Sequence, residues 1–217
     1  MNSESAIPSV TGLILAGGRA SRMQQQDKGL LQLDGRSLTE HVIARLAPQV
    51  ANVAINANRN LNDYARFGFP VWQDQCFDPA LPDEEQFQGP LAGVETGLIH
   101  CTTPYLLTAP CDSPFLPEDL ARRLMTSLSE ENADIAVACT GDSKNPRLQP
   151  VFCLMPVTCL AQVRSYFHEG GRRMDGWYRN FRIARVYFSN DSEFRNINTL
   201  NELQDCATEQ IAHQTEK

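Results

Sequence analysis

The chain is short of positive charge: 19 Lys and Arg stand against 26 Asp and Glu, a formal net charge of -7 over 217 residues. That balance excludes a protein that holds nucleic acid through a broadly basic surface, so an anionic ligand has to be held by a local site. No apolar run approaches the roughly 18 residues of a membrane span. The leader MNSESAIPSV has neither the basic residues nor the apolar stretch of a secretion signal. The expectation is a cytoplasmic protein with no membrane partner. Seven cysteines, at positions 76, 101, 111, 139, 153, 159 and 206, form an odd set without CxxC or zinc-like spacing. They read as reduced, mostly buried thiols. The histidines at 41, 100, 168 and 213 do not cluster, and none is assigned to catalysis.

What the chain does have is alternation. Leu13 to Ala16 is a short apolar run bounded by glycines, which suits a buried strand opening into a loop. Ser37-Leu38-Thr39-Glu40 is a capping box leading into a helical pattern at Val42, Ile43 and Leu46, stopped by Pro48. Strands are expected at Val53 to Ile55, Phe69 to Trp72, Tyr105 to Ala109, Ile135 to Cys139, Val151 to Leu154 and Ala184 to Phe188. Helices are expected at Asn62 to Phe67, Gly89 to Ile99, Pro117 to Ser129 and Val157 to Phe167, then, beyond a Gly170-Gly171 break, another running to Phe181, and a last one after Asn198-Thr199. The polar, acidic stretch DPALPDEEQ reads as a surface loop. Alternation of this kind predicts an α/β fold: a mostly parallel sheet with helices on both faces, three layers in all. Residues 11 to 217 are expected to form a single domain behind a flexible leader, residues 1 to 10.

Sites in open α/β sheets lie outside the carboxyl ends of the strands. The residues just beyond those ends are Gly17, Asn56, Asp74 and Asp112. Gly17 opens the segment LAGGRASRMQQQDKG, which lacks two familiar phosphate loops. Lys28 stands ten residues after Gly18 and is followed by Gly29, so GxxxxGK[ST] is absent, and so is GxGxxG. A glycine-rich turn can still offer backbone N–H groups as an anion nest. By itself the glycine pair reads equally as a strand-to-helix turn with Arg22 and Lys28 as solvated charges.

The longer pattern is more specific. Leu15-Ala16-Gly17-Gly18, Ser21, Arg22-Met23 and Asp27-Lys28 resemble the LAGGxSxRMGxDK loop of the molybdenum cofactor guanylyltransferases, nucleotidyltransferases with a Rossmann-like fold. Four further segments agree in order and spacing. VAINANR, from Val53 to Arg59, resembles the family's strand ending in Asn-x-Asn-Arg, and Gly89 to Gly93 matches GPLAG. Pro110 to Pro114 is similar to P-C-D-x-P, and Asn196 to Thr199 to N-x-N-T. The likeness runs from about Thr11 to Asp205 and is weak between Thr140 and Phe188.

The resemblance implies transfer of GMP from GTP to the phosphate of molybdopterin, with or without molybdenum, releasing pyrophosphate. Such a transfer needs positioning and charge neutralisation more than a protein nucleophile. It implies nucleotide contacts from Leu15, Ala16, Gly17, Lys28, Asn56, Asp74 and Asp112, and catalytic charge from Arg22, Lys28 and Asp112. Asp112 becomes the candidate ligand for Mg²⁺, the expected cofactor, because magnesium needs only one or two carboxylates beside substrate oxygens and water. Asp112 also suits a turn cap, and Asn56 and Asp74 suit local backbone caps. Asn198, Arg172 and Arg173 are candidates for the acceptor phosphate, the arginines reading as readily as solvated surface. GTP and molybdopterin are the expected partners, together with other molybdenum-cofactor biosynthesis and acceptor proteins, for a protein that is a monomer.

Two departures stand out. Gln24-Gln25-Gln26 replaces the glycine that follows Arg-Met in the family, and the acidic stretch before GPLAG is longer than the family pattern. Two other functions stay open on residues alone. One is a cytidylyltransferase acting on the same cofactor or another phosphorylated metabolite, and the other is a non-catalytic nucleotide or cofactor carrier.

Overall fold

The computed structural model describes residues 9–16, 27–75, 89–141, 146–199 and 202. Gly17, Gly18, Arg22 and the three glutamines, most of the leader, the acidic DPALPDEEQ stretch, and all but Glu202 of the expected last helix lie outside these residues.

In chain order the described elements are β1 (Val10–Leu15), β2 (Gln32–Leu33), β3 (Arg36–Ser37), α1 (Leu38–Leu46), β4 (Asn52–Asn56), α2 (Leu61–Ala65) and β5 (Val71–Trp72). Then follow α3 (Pro90–His100), β6 (Tyr105–Pro110), α4 (Leu120–Glu130), β7 (Ile135–Thr140), β8 (Arg147–Pro156), α5 (Leu160–His168), α6 (Met174–Trp177) and β9 (Ile183–Tyr187). The main sheet has seven strands in the order β5-β4-β1-β6-β8-β7-β9. All its pairings are parallel except those of β8, which runs antiparallel to β6 and β7.

The three layers follow from strand alternation. Val10, Ile14 and Ala16 pack on one side of the sheet against Val42 and Leu46 of α1 and Leu120, Leu124 and Leu128 of α4. Leu13 and Leu15 point to the other side, against Leu91, Val94 and Leu98 of α3, Val163 of α5 and Trp177 of α6. Each strand thus feeds two cores, the arrangement expected of a sheet covered on both faces. Five cysteines lie among the described residues; Cys111, Cys139, Cys153 and Cys159 are buried, Cys101 is partly exposed, and all five are free thiols.

Several boundaries differ from the sequence expectation. The fourth helix starts at Leu120 rather than Pro117: Asp119 takes the N-cap place without capping and pairs instead with Arg122 at 2.8 Å. A small hairpin, β2 to β3, precedes α1, turned by Asp34 (φ 50°) and Gly35 (φ 77°). Asp-Gly is a strong two-residue hairpin signal, because both central residues take positive φ.

The capping box at α1 is formed in full. Ser37 Oγ accepts from the Glu40 backbone N–H at 3.2 Å, and Glu40 accepts from the Ser37 N–H at 2.7 Å. Glu40 is held below the usual carboxylate range, first by the Ser37 backbone donor. Ser37→Ala is expected to cost about 1 kcal/mol and to lower the melting temperature by about 2–4 °C, measured by circular dichroism.

Candidate functional site

The site is assembled by strand register. Leu15, the last residue of β1, lies level with Asn56 of β4 on one side and Pro110 of β6 on the other. The pairing runs one step further: the Ala16 N–H donates to the Asn56 carbonyl at 2.8 Å, and the Cys111 N–H donates to the Leu15 carbonyl at 3.1 Å. Ala16, Asn56 and Asp112 therefore emerge side by side where the strand order reverses around β1, the usual location of a ligand crevice.

On the β4 side, an amide network surrounds Asp74. Asn56 Nδ2 donates to Asp74 Oδ1 at 2.8 Å and to the Trp72 carbonyl at 3.0 Å. Asn58 Nδ2 donates to Asp74 Oδ2 at 2.8 Å, and the Asp74 N–H donates back to Asn58 Oδ1 at 2.8 Å. Burial pushes the Asp74 carboxyl above its ordinary range; the two amide donors pull it down, and the charge of Glu95 adds to the rise. Gly93 lets α3 approach this network closely, since a Cβ there would run into Asn56 Oδ1 and lie 2.7 Å from Leu15. The glycine that closes GPLAG thus has a steric reason.

On the β6 side, Lys28 reaches across the strand ends. Its Nζ donates to Asn198 Oδ1 at 2.7 Å and stands 3.4 Å from Asp112 Oδ2. Asp112 and the C-terminal segment are tied directly as well, by the Ile197 N–H donating to the Asp112 carbonyl at 2.8 Å. Ser113 Oγ donates to Asn196 Oδ1 at 2.5 Å, and the Asn198 N–H donates to Glu202 at 2.6 Å. Burial pushes the Asp112 carboxyl above the usual carboxylate range, and the Lys28 ammonium opposes that shift.

The structure therefore brings together Ala16, Asn56 and Asp74 on one side and Lys28, Asp112 and Asn198 on the other, with Leu15 between. Arg173 is engaged elsewhere, in a two-pronged pair with Asp175 at 3.0 and 2.9 Å. Arg172 donates to the Phe167 and Gly171 carbonyls, and its own carbonyl would lie 3.1 Å from a Cβ at Gly89, at the start of α3. Gly17 and Arg22 lie outside the described residues. Asn58 and Asn196 were visible only as letters of their motifs; the structure gives them partners, Asp74 and Ser113.

No group of three or more His, Cys, Asp or Glu converges among the described residues. An oxygen-only site needs fewer carboxylates. Asp112 Oδ2 and Asn198 Oδ1 already converge on one positive group, the Lys28 ammonium, so the donor set is of the type that suits Mg²⁺ completed by phosphate and water oxygens.

Comparison with known proteins identifies the family of the chain. Residues 12–182 match the model of the MobA-like NTP transferase domain. A molybdenum cofactor guanylyltransferase of Cupriavidus necator is 50% identical over 195 residues, covering 89% of this chain and 94% of the relative. The chain belongs to the molybdenum cofactor guanylyltransferase family. Another member, from Ralstonia nicotianae, is 49% identical over 203 residues, covering 91% of this chain and 96% of that one. Among solved structures, molybdopterin-guanine dinucleotide biosynthesis protein A from Archaeoglobus fulgidus shares the fold, with a TM-score of 0.69 at 17% identity over 94% of this chain and 99% of that one. The α/β, Rossmann-like expectation holds, with β8 as the antiparallel exception. As a member of the guanylyltransferase family the chain is a nucleotidyltransferase. No helix among its described residues is long and apolar enough to cross a membrane.

The raised Asp112 carboxyl has a consequence for stability. A carboxyl whose folded-state pKa exceeds its unfolded value favours folding when protonated. That contribution is complete below the unfolded value near 3.9 and is lost as pH rises through the raised one. Asp112→Asn is therefore expected to raise the ligand-free melting temperature at pH 7. The gain should shrink in scans taken toward pH 4, and a lowered melting temperature at pH 7 would contradict it.

Proposed function

We propose that the protein transfers GMP from GTP to the terminal phosphate of molybdopterin, with or without its molybdenum, through one nucleotidyltransferase domain. The observation that carries the reading is the Lys28 ammonium held between Asp112 and Asn198 at the strand ends, in a member of this family. An oxygen of the acceptor phosphate attacks the α-phosphorus of GTP. The new P–O bond forms as the bond to the β-phosphate breaks, and pyrophosphate leaves with the electron pair.

In this reading the protein binds and orients, and it forms no covalent bond to the substrate. Leu15 and Ala16, with Gly17, present backbone groups to the nucleotide, while Asn56 and Asp74 offer amide and carboxylate partners to the nucleoside. Lys28 swings its ammonium from Asn198 and Asp112 onto the triphosphate, a move its flexible stem allows. Asp112, with Asn198 beside it, would hold Mg²⁺. An ion bound there would supply positive charge to neutralise phosphate oxygens. Arg22 adds a second cation for the leaving pyrophosphate, and Arg172 and Arg173 are the candidate contacts for the pterin phosphate. The acceptor's supply and delivery imply contact with other proteins of molybdenum-cofactor synthesis and use. The working state is a cytoplasmic monomer.

Incubation with GTP, Mg²⁺ and molybdopterin is expected to release pyrophosphate and form a guanosine dinucleotide. Lys28→Ala and Asp112→Ala are each expected to lower kcat by about 10²–10³-fold, the typical loss of one preorganised charge partner. Preference for CTP in a competition assay would replace this reading with a cytidylyltransferase, and full in-cell function of Asp112→Ala would replace it with a carrier.

A further inference from the structure

Asp27, the residue before Lys28, is bound on three sides. Its Oδ1 accepts from the Gly29 backbone N–H at 3.1 Å and from the Tyr64 hydroxyl at 2.6 Å, and its Oδ2 accepts from Asn60 Nδ2 at 3.0 Å. Tyr64 is fully buried. Burial, with the nearby thiol of Cys111 and the carboxylate of Asp27 adding to it, pushes its hydroxyl far above the ordinary phenol range, so it stays protonated and remains a donor.

Asn60 is placed unusually. It occupies the N-cap of α2, where an Asn side chain ordinarily accepts from a first-turn N–H, yet it makes no side-chain cap bond. Its backbone is left-handed, φ 52° and ψ 34°, a conformation that Asn tolerates better than most L-residues. The helix forgoes its cap while the Asn60 amide turns to Asp27. Both contacts converge on the carboxylate that opens the short 3-10 turn Lys28–Leu30, whose carbonyl at Gly29 is held by Thr39 Oγ1 at 2.8 Å. From that turn Lys28 reaches Asn198 and Asp112.

We propose that Tyr64 and Asn60 are positioning residues for the transfer reaction, acting through Asp27 to aim the Lys28 ammonium at the junction of Asp112 and Asn198. This rests on the reading of Lys28 as a phosphate ligand. A fixed backbone turn beneath the lysine leaves only its flexible stem to be ordered when the ammonium engages phosphate, which lowers the entropy lost on binding. Neither Tyr64 nor Asn60 touches substrate in this account.

The test uses Tyr64→Phe, Asn60→Gly, Lys28→Ala and the Tyr64→Phe/Lys28→Ala double variant, each checked by thermal melting. Glycine at position 60 keeps the left-handed backbone and removes only the amide. Affinity for inorganic tripolyphosphate with Mg²⁺ is read by calorimetry, and kcat/KM with GTP and molybdopterin by turnover. Tyr64→Phe is expected to lose about 10–100-fold in kcat/KM, the scale of a small misplacement remote from the chemistry, and to weaken tripolyphosphate binding. Asn60→Gly is expected to change both in the same direction. The double variant is expected to be no worse than Lys28→Ala alone, because Tyr64 acts through Lys28. Wild-type behaviour of Tyr64→Phe, penalties that multiply in the double variant, or failure of the wild type to bind tripolyphosphate overturns the proposal. Absence of guanylyl transfer alongside coupled tripolyphosphate binding overturns the proposed reaction and leaves the positioning role supported.

Discussion

The register of β1, hydrogen-bonded in parallel to β4 on one side and β6 on the other, sets the position of every candidate site residue on the strand ends. A slip of one residue would turn Val10 and Ile14 into the α3 layer and Leu13 and Leu15 into the α1 layer. Both cores would then be wrong at once, so the alternation that buries the strand also fixes its ends. Asn56 and Asp112 emerge on the two sides of β1 because the strands that lead to them are locked in this way.

Two electrostatic environments flank that central strand. Around Asp74 the compensation is neutral, through the amides of Asn56 and Asn58. Around Asp112 it is a mobile ammonium at a long 3.4 Å. In both cases burial holds the carboxyl above its ordinary range. A carboxyl shifted in this direction favours the folded state less when ionised than when protonated. In the proposed reaction the mobile partner is the one that must yield, which fits the weaker contact on its side.

Much of this was legible in the chain, and the limits have physical causes. Periodicity revealed the strands around Leu13, Ile55 and Leu107 and the helix behind Ser37, because each combines a burial pattern with a boundary signal. It did not reveal the length or direction of β8. The strand's apolar run begins only after Pro150, behind the polar Arg147 and Gln149, and the pairing with β7 shifts register between Val137 and Cys139. Strand direction leaves no mark in periodicity. Asn56, Asp74, Asp112 and Asn198 could be picked out because each follows a strand or sits in a compact motif. Tyr64 could not, since its partner Asp27 lies 37 residues away and a buried tyrosine in a short helix resembles ordinary core.

The bond from Lys28 to Asn198 spans 170 residues of chain. Lys28 leaves the ribosome well before Asn198, so one partner of the contact is made long before the other. The sheet can pair β1, β4, β5 and β6 while synthesis continues, yet the ammonium has no amide to meet until the C-terminal segment docks on Asp112 through Ile197. Completion of the site therefore waits until residues 197 and 198 have been made and docked, and a chain stopped before Asn196 lacks both the bond from Lys28 to Asn198 and the bond from Ile197 to Asp112.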